Sequence, residues 1–227
     1  MSGTDELVIT RGEQHAVLTL NRPDRRNALS VSLRDAVSDA LDDLAGDESV
    51  KCAVITGAGP VFSAGFDLKE FDRAASDAEF NRALWASSDR FHRTVLTFAL
   101  PLVAAVNGPA IAGGFDLAVM CDIRVVADTA RFSHPERSFG DVVYGPLAEL
   151  VGGAVARDLT MGGRELSAQD SLDVHLVSAV VGPDNLTAAA AGIVERICVS
   201  PRDVLLRTKA KALRRAGFDP AGPTLDL

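Results

Sequence analysis

Residues 99–136, ALPLVAAVNGPAIAGGFDLAVMCDIRVVADTARFSHPE, constrain the fold more than any other part of the chain. An apolar strand over 102–106 runs into Asn107-Gly108-Pro109, and Ala112-Gly113-Gly114 then leads into a short apolar helix over 115–120. A second strand over 123–127 and a third short run over 130–133 end at Glu136. A strand that breaks at glycines and restarts as a helix leaves unpaired backbone N–H groups at the helix start. The positive end of the helix dipole points the same way. Such a turn can hold a developing negative charge. Two carboxylates, Asp116 and Glu136, flank it, so the pattern suits acid–base chemistry on a carbonyl compound.

The remaining segments place this stretch in an α/β chain. Residues 8–11 and 16–21 read as an antiparallel pair turning at Gly12-Glu13, and the Asn21–Asn27 segment, NRPDRRN, reads as a turn. Ser30 caps a helix whose inner face is Leu33, Val37, Leu41 and Leu44, and Gly46-Asp47 ends it. Residues 52–56 are almost wholly apolar, as in a strand buried on both faces. Gly57-Ala58-Gly59-Pro60 turns the chain towards Phe62-Ser63-Ala64-Gly65-Phe66-Asp67-Leu68-Lys69. Residues 71–83 are charged and Ala-rich and read as a mobile surface segment. A helix over 84–98 should face inward with Trp85, Phe91, Val95 and Phe98. Further helices are predicted over 147–161, 185–199 and 201–216, with a strand over 176–181. Ser167–Asp170 has the spacing of a capping box, and His175 stands where its helix ends. The tail GFDPAGPTLDL is too rich in Gly and Pro to fold alone. Strands alternating with helices define the α/β class.

Charge and cysteine usage exclude several functions. The net charge of −8 argues against nucleic acid or an anionic membrane as partner. An anionic ligand would need a local basic cluster. No apolar run is long enough to span a bilayer, and the first residues have neither a basic nor an apolar region of a signal peptide. Three widely spaced cysteines, Cys52, Cys121 and Cys198, fit buried thiols in a reducing cytoplasm better than disulfides or a zinc site.

Several stretches, in order, resemble the crotonase, or enoyl-CoA hydratase/isomerase, superfamily. They are Asn21-Arg22-Pro23 with Asn27-Ala28-Leu29, Phe62–Lys69, Ala105–Ala110, Gly113-Gly114-Phe115-Asp116-Leu117 with Cys121-Asp122, His134-Pro135-Glu136, and Leu166-Ser167-Ala168. The resemblance covers roughly residues 7–216. It implies a crotonase-like spiral of ββα units over residues 1–185 and a C-terminal helical segment over 186–227, shortened relative to the family. It also implies an acyl-CoA thioester as substrate. The backbone N–H groups of Phe66 and Gly113 would polarise the thioester carbonyl, at roughly 3–4 kcal/mol per donor. Asp116 and Glu136 would be the acids, where hydratases carry two glutamates. Arg25, Ala64, Asp67, Leu68, Lys69 and Gly114 would lie around the CoA moiety or the acyl thioester, with Asp67 mainly bracing its turn. Asp122 is read as a local cap or pairing group and His134 as a structural side chain. No metal or redox cofactor is implied, and relatives assemble as trimers or hexamers.

The chain also departs from the family pattern. Asp116 is one methylene shorter than glutamate. An aspartate there resembles the dienoyl-CoA isomerase branch, but that branch has a further aspartate eight residues after the second acid, where this chain has Tyr144. The turn over 139–146 is shorter than the family's glycine-rich turn, and the chain ends at Leu227, before the helices that cover the CoA site in relatives. The leading expectation is an enoyl-CoA hydratase. A double-bond isomerase is the alternative enzyme, and a catalytically weak acyl-CoA-binding relative is the alternative outside catalysis.

Overall fold

The computed structural model describes residues 5–216; the first four residues and the Gly/Pro-rich tail lie outside the described residues. In chain order the elements are β1 (Leu7–Arg11), β2 (His15–Leu20), α1 (Val31–Gly46), β3 (Cys52–Gly57), α2 (Leu68–Ala74), α3 (Ala78–Thr97), β4 (Leu102–Val106), β5 (Ala110–Ile111) and α4 (Gly113–Met120). They continue with β6 (Ile123–Ala127), β7 (Arg131–Ser133), α5 (Gly145–Arg157), β8 (Leu166–Ser167), α6 (Ala168–Asp173), β9 (Ala179–Val181), α7 (Leu186–Cys198) and α8 (Arg202–Ala216).

The main sheet has the order β1-β2-β3-β4-β6-β9. Its first pair is antiparallel, with Leu7 opposite Leu20, and every later neighbour is parallel. Successive side chains of a strand point to opposite faces. Ala53 and Ile55 of β3 therefore enter the larger core with Leu33, Val37 and Leu41 of α1. Cys52 and Val54 point the other way, with Val103, Ala105 and Val125, onto Leu186, Ala190, Ile193 and Val194 of α7. Burial on both faces is why β3 and β4 read as continuous apolar runs. A smaller sheet, β5-β7-β8, stands apart from the main one and holds the chain around the glycine turn.

Local rules account for the helix starts. Ser30 accepts from Leu33 N–H and caps α1. Ser167 and Asp170 form the reciprocal capping box of α6, and His175 follows that helix with a positive φ of 61°.

Four expectations need correction. Residues 71–83 are not a loose surface segment: α2 extends to Ala74, and α3 begins at Ala78 after an Asp77 cap that accepts from Phe80 N–H. Trp85 is not on the inner face; it is 40% exposed, edge-on to Phe71 with centroids 6.0 Å apart. Starting α3 six residues earlier leaves Leu84, Ser88, Phe91 and Val95 as the buried stripe, and Trp85 falls just beyond it. The helix over 147–161 ends at Arg157 and widens into a π turn over Asp158–Gly162, while Gly152 interrupts it at φ 76°. The strand over 176–181 shrinks to β9; Leu176 and Val177 are buried but not paired in the sheet.

Arg34 is a buried cation in α1. It is fully buried, and its guanidinium donates to Leu29 O (2.9 Å), Leu84 O (3.1 Å) and Ser87 Oγ (3.3 Å). It also lies 4.3 Å from the centre of the Phe66 ring. Burial lowers its pKa to about 10, opposed by the more distant charges of Glu70 and Asp35. Removing it would take a buried charged donor away from the Leu29 and Leu84 carbonyls and the Ser87 hydroxyl. Arg34→Ala should destabilise the fold by roughly 3 kcal/mol, read as a lower urea midpoint at unchanged m-value. A change under about 0.5 kcal/mol would mean that water replaces the guanidinium.

Candidate active site

The site forms where the small sheet brings two chain reversals together. β5 pairs in parallel with β7, Ala110 with Phe132 and Ile111 with Ser133, and Ala112 N–H continues the ladder to Ser133 O at 2.9 Å. This register sets the His134–Glu136 turn beside the start of α4. On the other side, Phe62 and Ser63 N–H donate to Pro109 O, and Ile111 N–H donates to Ser63 O. Leu29 N–H donates to Gly65 O in a parallel bridge with Phe66, so Phe66's own N–H is directed away from Leu29.

The two reversals touch backbone to backbone. A Cβ on Gly65, whose φ is 84°, would stand 2.7 Å from Ala112 Cβ and 3.0 Å from Gly113 N; one on Gly114 would stand 2.4 Å from Ser63 O. Gly113 is the first residue of α4, so its N–H has no acceptor within the helix. The structure thus brings the Phe66 and Gly113 turns against each other. It also starts α4 two residues earlier than its apolar run suggested.

Asp116 lies in the first turn of α4, and Glu136 in a 3-10 turn over Pro135–Ser138. Between them stands His134, whose Nδ1 is 2.8 Å from Glu136 Oε1 and 3.8 Å from Asp116 Oδ1. The imidazole stacks on Phe115, with ring centres 4.6 Å apart. Val143, in the turn over 139–146, turns its backbone N–H towards the Asp116 carboxylate. Burial pushes the Asp116 pKa up to about 7; the His134 imidazole and the Val143 N–H oppose the rise, and the Glu136 charge adds to it. Asp116 Oδ1, Glu136 Oε2 and His134 Nε2 are all buried with no hydrogen-bond partner.

The other predicted site residues fall in two groups. Ala64 and Gly114 belong to the interlocked reversals, whereas Arg25, Leu68 and Lys69 are exposed. Asp67 caps α2 by accepting from Lys69 N–H at 3.2 Å and pairs with Arg22 at 3.0 Å, so it does brace its turn. Asp122 accepts from Leu102 N–H and pairs with Lys209 of α8.

A profile of the enoyl-CoA hydratase/isomerase family matches residues 10–222. The chain belongs to that family. Among its relatives, a putative enoyl-CoA hydratase of Thermus thermophilus is 37% identical over 207 residues, 89% of this chain and 82% of that protein. The 2,3-dehydroadipyl-CoA hydratase of Escherichia coli is 34% identical over 93% of this chain and 82% of its own. A crystal structure of an enoyl-CoA hydratase/carnithine racemase from Magnetospirillum magneticum superposes with a TM-score of 0.87 at 30% identity, covering 96% of this chain and 83% of that one. The crotonase-type architecture expected from the ordered motifs is therefore established.

Sequence reasoning missed three parts of this family site. His134, expected as a structural side chain, bonds Glu136 Oε1 and stands 3.8 Å from Asp116 Oδ1. Val143 acts through its backbone, which its side-chain type does not reveal. Ala112 adopts φ 53° and ψ −131°, a conformation suited to glycine. Strain there is of order 1–3 kcal/mol. Ala112→Gly should therefore raise stability by about 1 kcal/mol once the entropy lost by glycine is counted, seen as a higher Tm in calorimetry. A lower Tm would show that packing of the Ala112 methyl outweighs the strain.

Proposed function

We propose that this chain is an enoyl-CoA hydratase, adding water across the 2,3 double bond of an enoyl-CoA thioester. The observation that carries the reading is the pair of buried, unpartnered oxygens, Asp116 Oδ1 and Glu136 Oε2, beside the Gly113 turn. A polar atom without a partner in the interior is costly, and a site that receives water and substrate supplies the missing partners. The hydratase names of the relatives in Thermus thermophilus and Escherichia coli support the same reading.

In the proposed mechanism the N–H groups of Phe66 and Gly113 bind the thioester oxygen and stabilise the enolate as charge develops there. The start of the α4 dipole adds to the same field. Glu136 takes a proton from water while the water oxygen bonds to Cβ. The electron pair of the double bond moves towards the carbonyl. Asp116, held largely protonated below pH 7 by burial, delivers a proton to Cα as the enolate collapses. The net addition is H to Cα and OH to Cβ, and proton exchange with water resets the pair. Lys69 and Arg25, exposed near the Phe66 turn, are the proposed contacts for CoA phosphates, with Leu68 beside them. The scheme calls for no metal and no redox cofactor. By the family resemblance the enzyme would assemble as a homotrimer or hexamer, and its unpaired cysteines suit a reducing cytoplasm.

The second reading is a double-bond isomerase, favoured by the shortened acid at Asp116. A panel of short enoyl-CoA thioesters in heavy-oxygen water separates the two. A hydratase incorporates the label into the product, whereas double-bond movement without label marks an isomerase. Glu136→Gln should remove at least about 100-fold of kcat in either case, because an amide cannot accept the proton. Asp116→Asn should lower hydration by a similar factor. Wild-type rates for both variants would defeat the two-acid mechanism and leave an acyl-CoA-binding protein as the better account.

The raised Asp116 pKa makes a separate statement about pH. A proton donor is competent only while protonated, so kcat/KM for hydration should fall as pH rises through about 7. The slope should approach tenfold per unit, and this limb should be absent from the residual activity of Asp116→Asn. A flat profile from pH 6 to 9 would reassign the donor role.

A further inference from the structure

Resting on the hydratase/isomerase reading of the site, we propose that His134 is a positioning residue for Glu136: its Nδ1–H holds Oε1, so that Oε2 is the oxygen presented to the reacting water or carbon. The bond length and the surroundings of the ring lead to this assignment. Nδ1 lies 2.8 Å from Glu136 Oε1, too close for two lone pairs, so a proton sits between them. Nε2 is buried with no acceptor near it. A proton there would be an orphaned donor, whereas one on Nδ1 is shared with Glu136, so the Nδ1–H tautomer is the one these surroundings select.

The ring itself has little freedom. Its side chain is 1% exposed and stacks on Phe115, which packs in turn against Phe132 of β7 with centroids 5.1 Å apart. Phe132 is held by the β5–β7 pairing, and Phe115 lies in α4, which begins directly after β5. The imidazole is thus a rigid peg between α4 and the Glu136 turn. The carboxylate it holds is otherwise at the end of a flexible side chain in a turn of four residues. Nδ1 also lies 3.8 Å from Asp116 Oδ1, beyond hydrogen-bond reach, so the peg engages one acid and leaves the other oxygen open.

Two measurements test the assignment. The first uses the substrate panel described above and compares His134→Leu with His134→Gln. Leucine fills space without a donor, whereas the glutamine amide can donate to the same carboxylate oxygen. His134→Leu should lower kcat between about 10- and 100-fold at nearly constant KM, with His134→Gln recovering most of the loss. Equal losses in both variants that track Tm would show a merely structural residue, and a kcat within twofold of wild type in His134→Leu would remove the role altogether. The second measurement does not depend on turnover. Long-range 1H–15N spectra of the imidazoles near neutral pH, with the His134 signal among the four histidines assigned by its loss in His134→Gln, report which nitrogen carries the proton. The Nδ1–H form, shifting on Glu136→Gln, is the expected result. An Nε2–H form, or no response to Glu136→Gln, overturns the proposal even if the wild-type enzyme proves to accept none of the thioesters, a result that by itself would count only against the hydratase reading.

Discussion

The site depends on two chain reversals that meet through backbone and the smallest of side chains. The reversal at Gly65 lies against the reversal at Ala112–Gly114 so closely that a Cβ at Gly65 would meet Ala112 Cβ at 2.7 Å, and one at Gly114 would meet Ser63 O at 2.4 Å. Such proximity is tolerable only when both backbones have their hydrogen bonds placed. They do: Ile111 N–H reaches Ser63 O, Ala112 N–H reaches Ser133 O, and Leu29 N–H reaches Gly65 O. Three strand-like segments are thereby tied together around the start of one helix. Any residue that widened this contact would separate the Phe66 and Gly113 N–H groups and shift Asp116, which sits one turn further along α4.

Around that contact the protein arranges burial rather than charge balance. Asp116 is 6% exposed and its neighbours in α4 are all buried, so the ionised carboxylate is disfavoured and its pKa rises. The buried Arg34 guanidinium serves a different end: it stands under the Phe66 ring and holds the carbonyls of Leu29 and Leu84. Arg34 thus steadies the Leu29–Phe66 bridge while the acids are left to desolvation and to His134. A buried cation that braces backbone and a buried acid that holds its proton more tightly are two uses of the same low-dielectric interior.

How far the sequence disclosed this follows from where the information resides. Apolar runs over β3, β4 and β6 could be read directly, because burial on both faces leaves no polar alternation to misread. Ser30, Ser167 and Asp170 announced their helices through side chains that bond within three residues. Asp116 and Glu136 could be singled out because a carboxylate beside a glycine turn is chemically conspicuous. Trp85 misled because an aromatic residue suggests interior, whereas the phase of α3 is set by a cap at Asp77, seven residues before the first buried leucine, Leu84. His134 and Val143 were illegible for a different reason. The first matters through a register between β5 and β7 that only the folded chain reveals, and the second through an N–H that every residue but proline possesses.

The shorter acid and the imidazole are best understood together. The Asp116 carboxylate is held from one side by Val143 N–H, and its free oxygen faces His134 Nδ1 across 3.8 Å. One further methylene would carry the carboxylate about 1.5 Å along its side chain, a displacement large enough to close that gap or to drive the oxygen into the ring. The ring cannot yield, because it stacks on Phe115 and bonds Glu136. Nor can the backbone of α4 withdraw, since Gly113 and Gly114 are already in contact with Phe66 and Ser63. Within this frame an aspartate at 116 and a histidine at 134 are matched in size: the space that a longer acid would claim is the space the imidazole fills. The shorter acid at 116 thus leaves the imidazole its place between the two carboxylates, 2.8 Å from Glu136 Oε1 and 3.8 Å from Asp116 Oδ1.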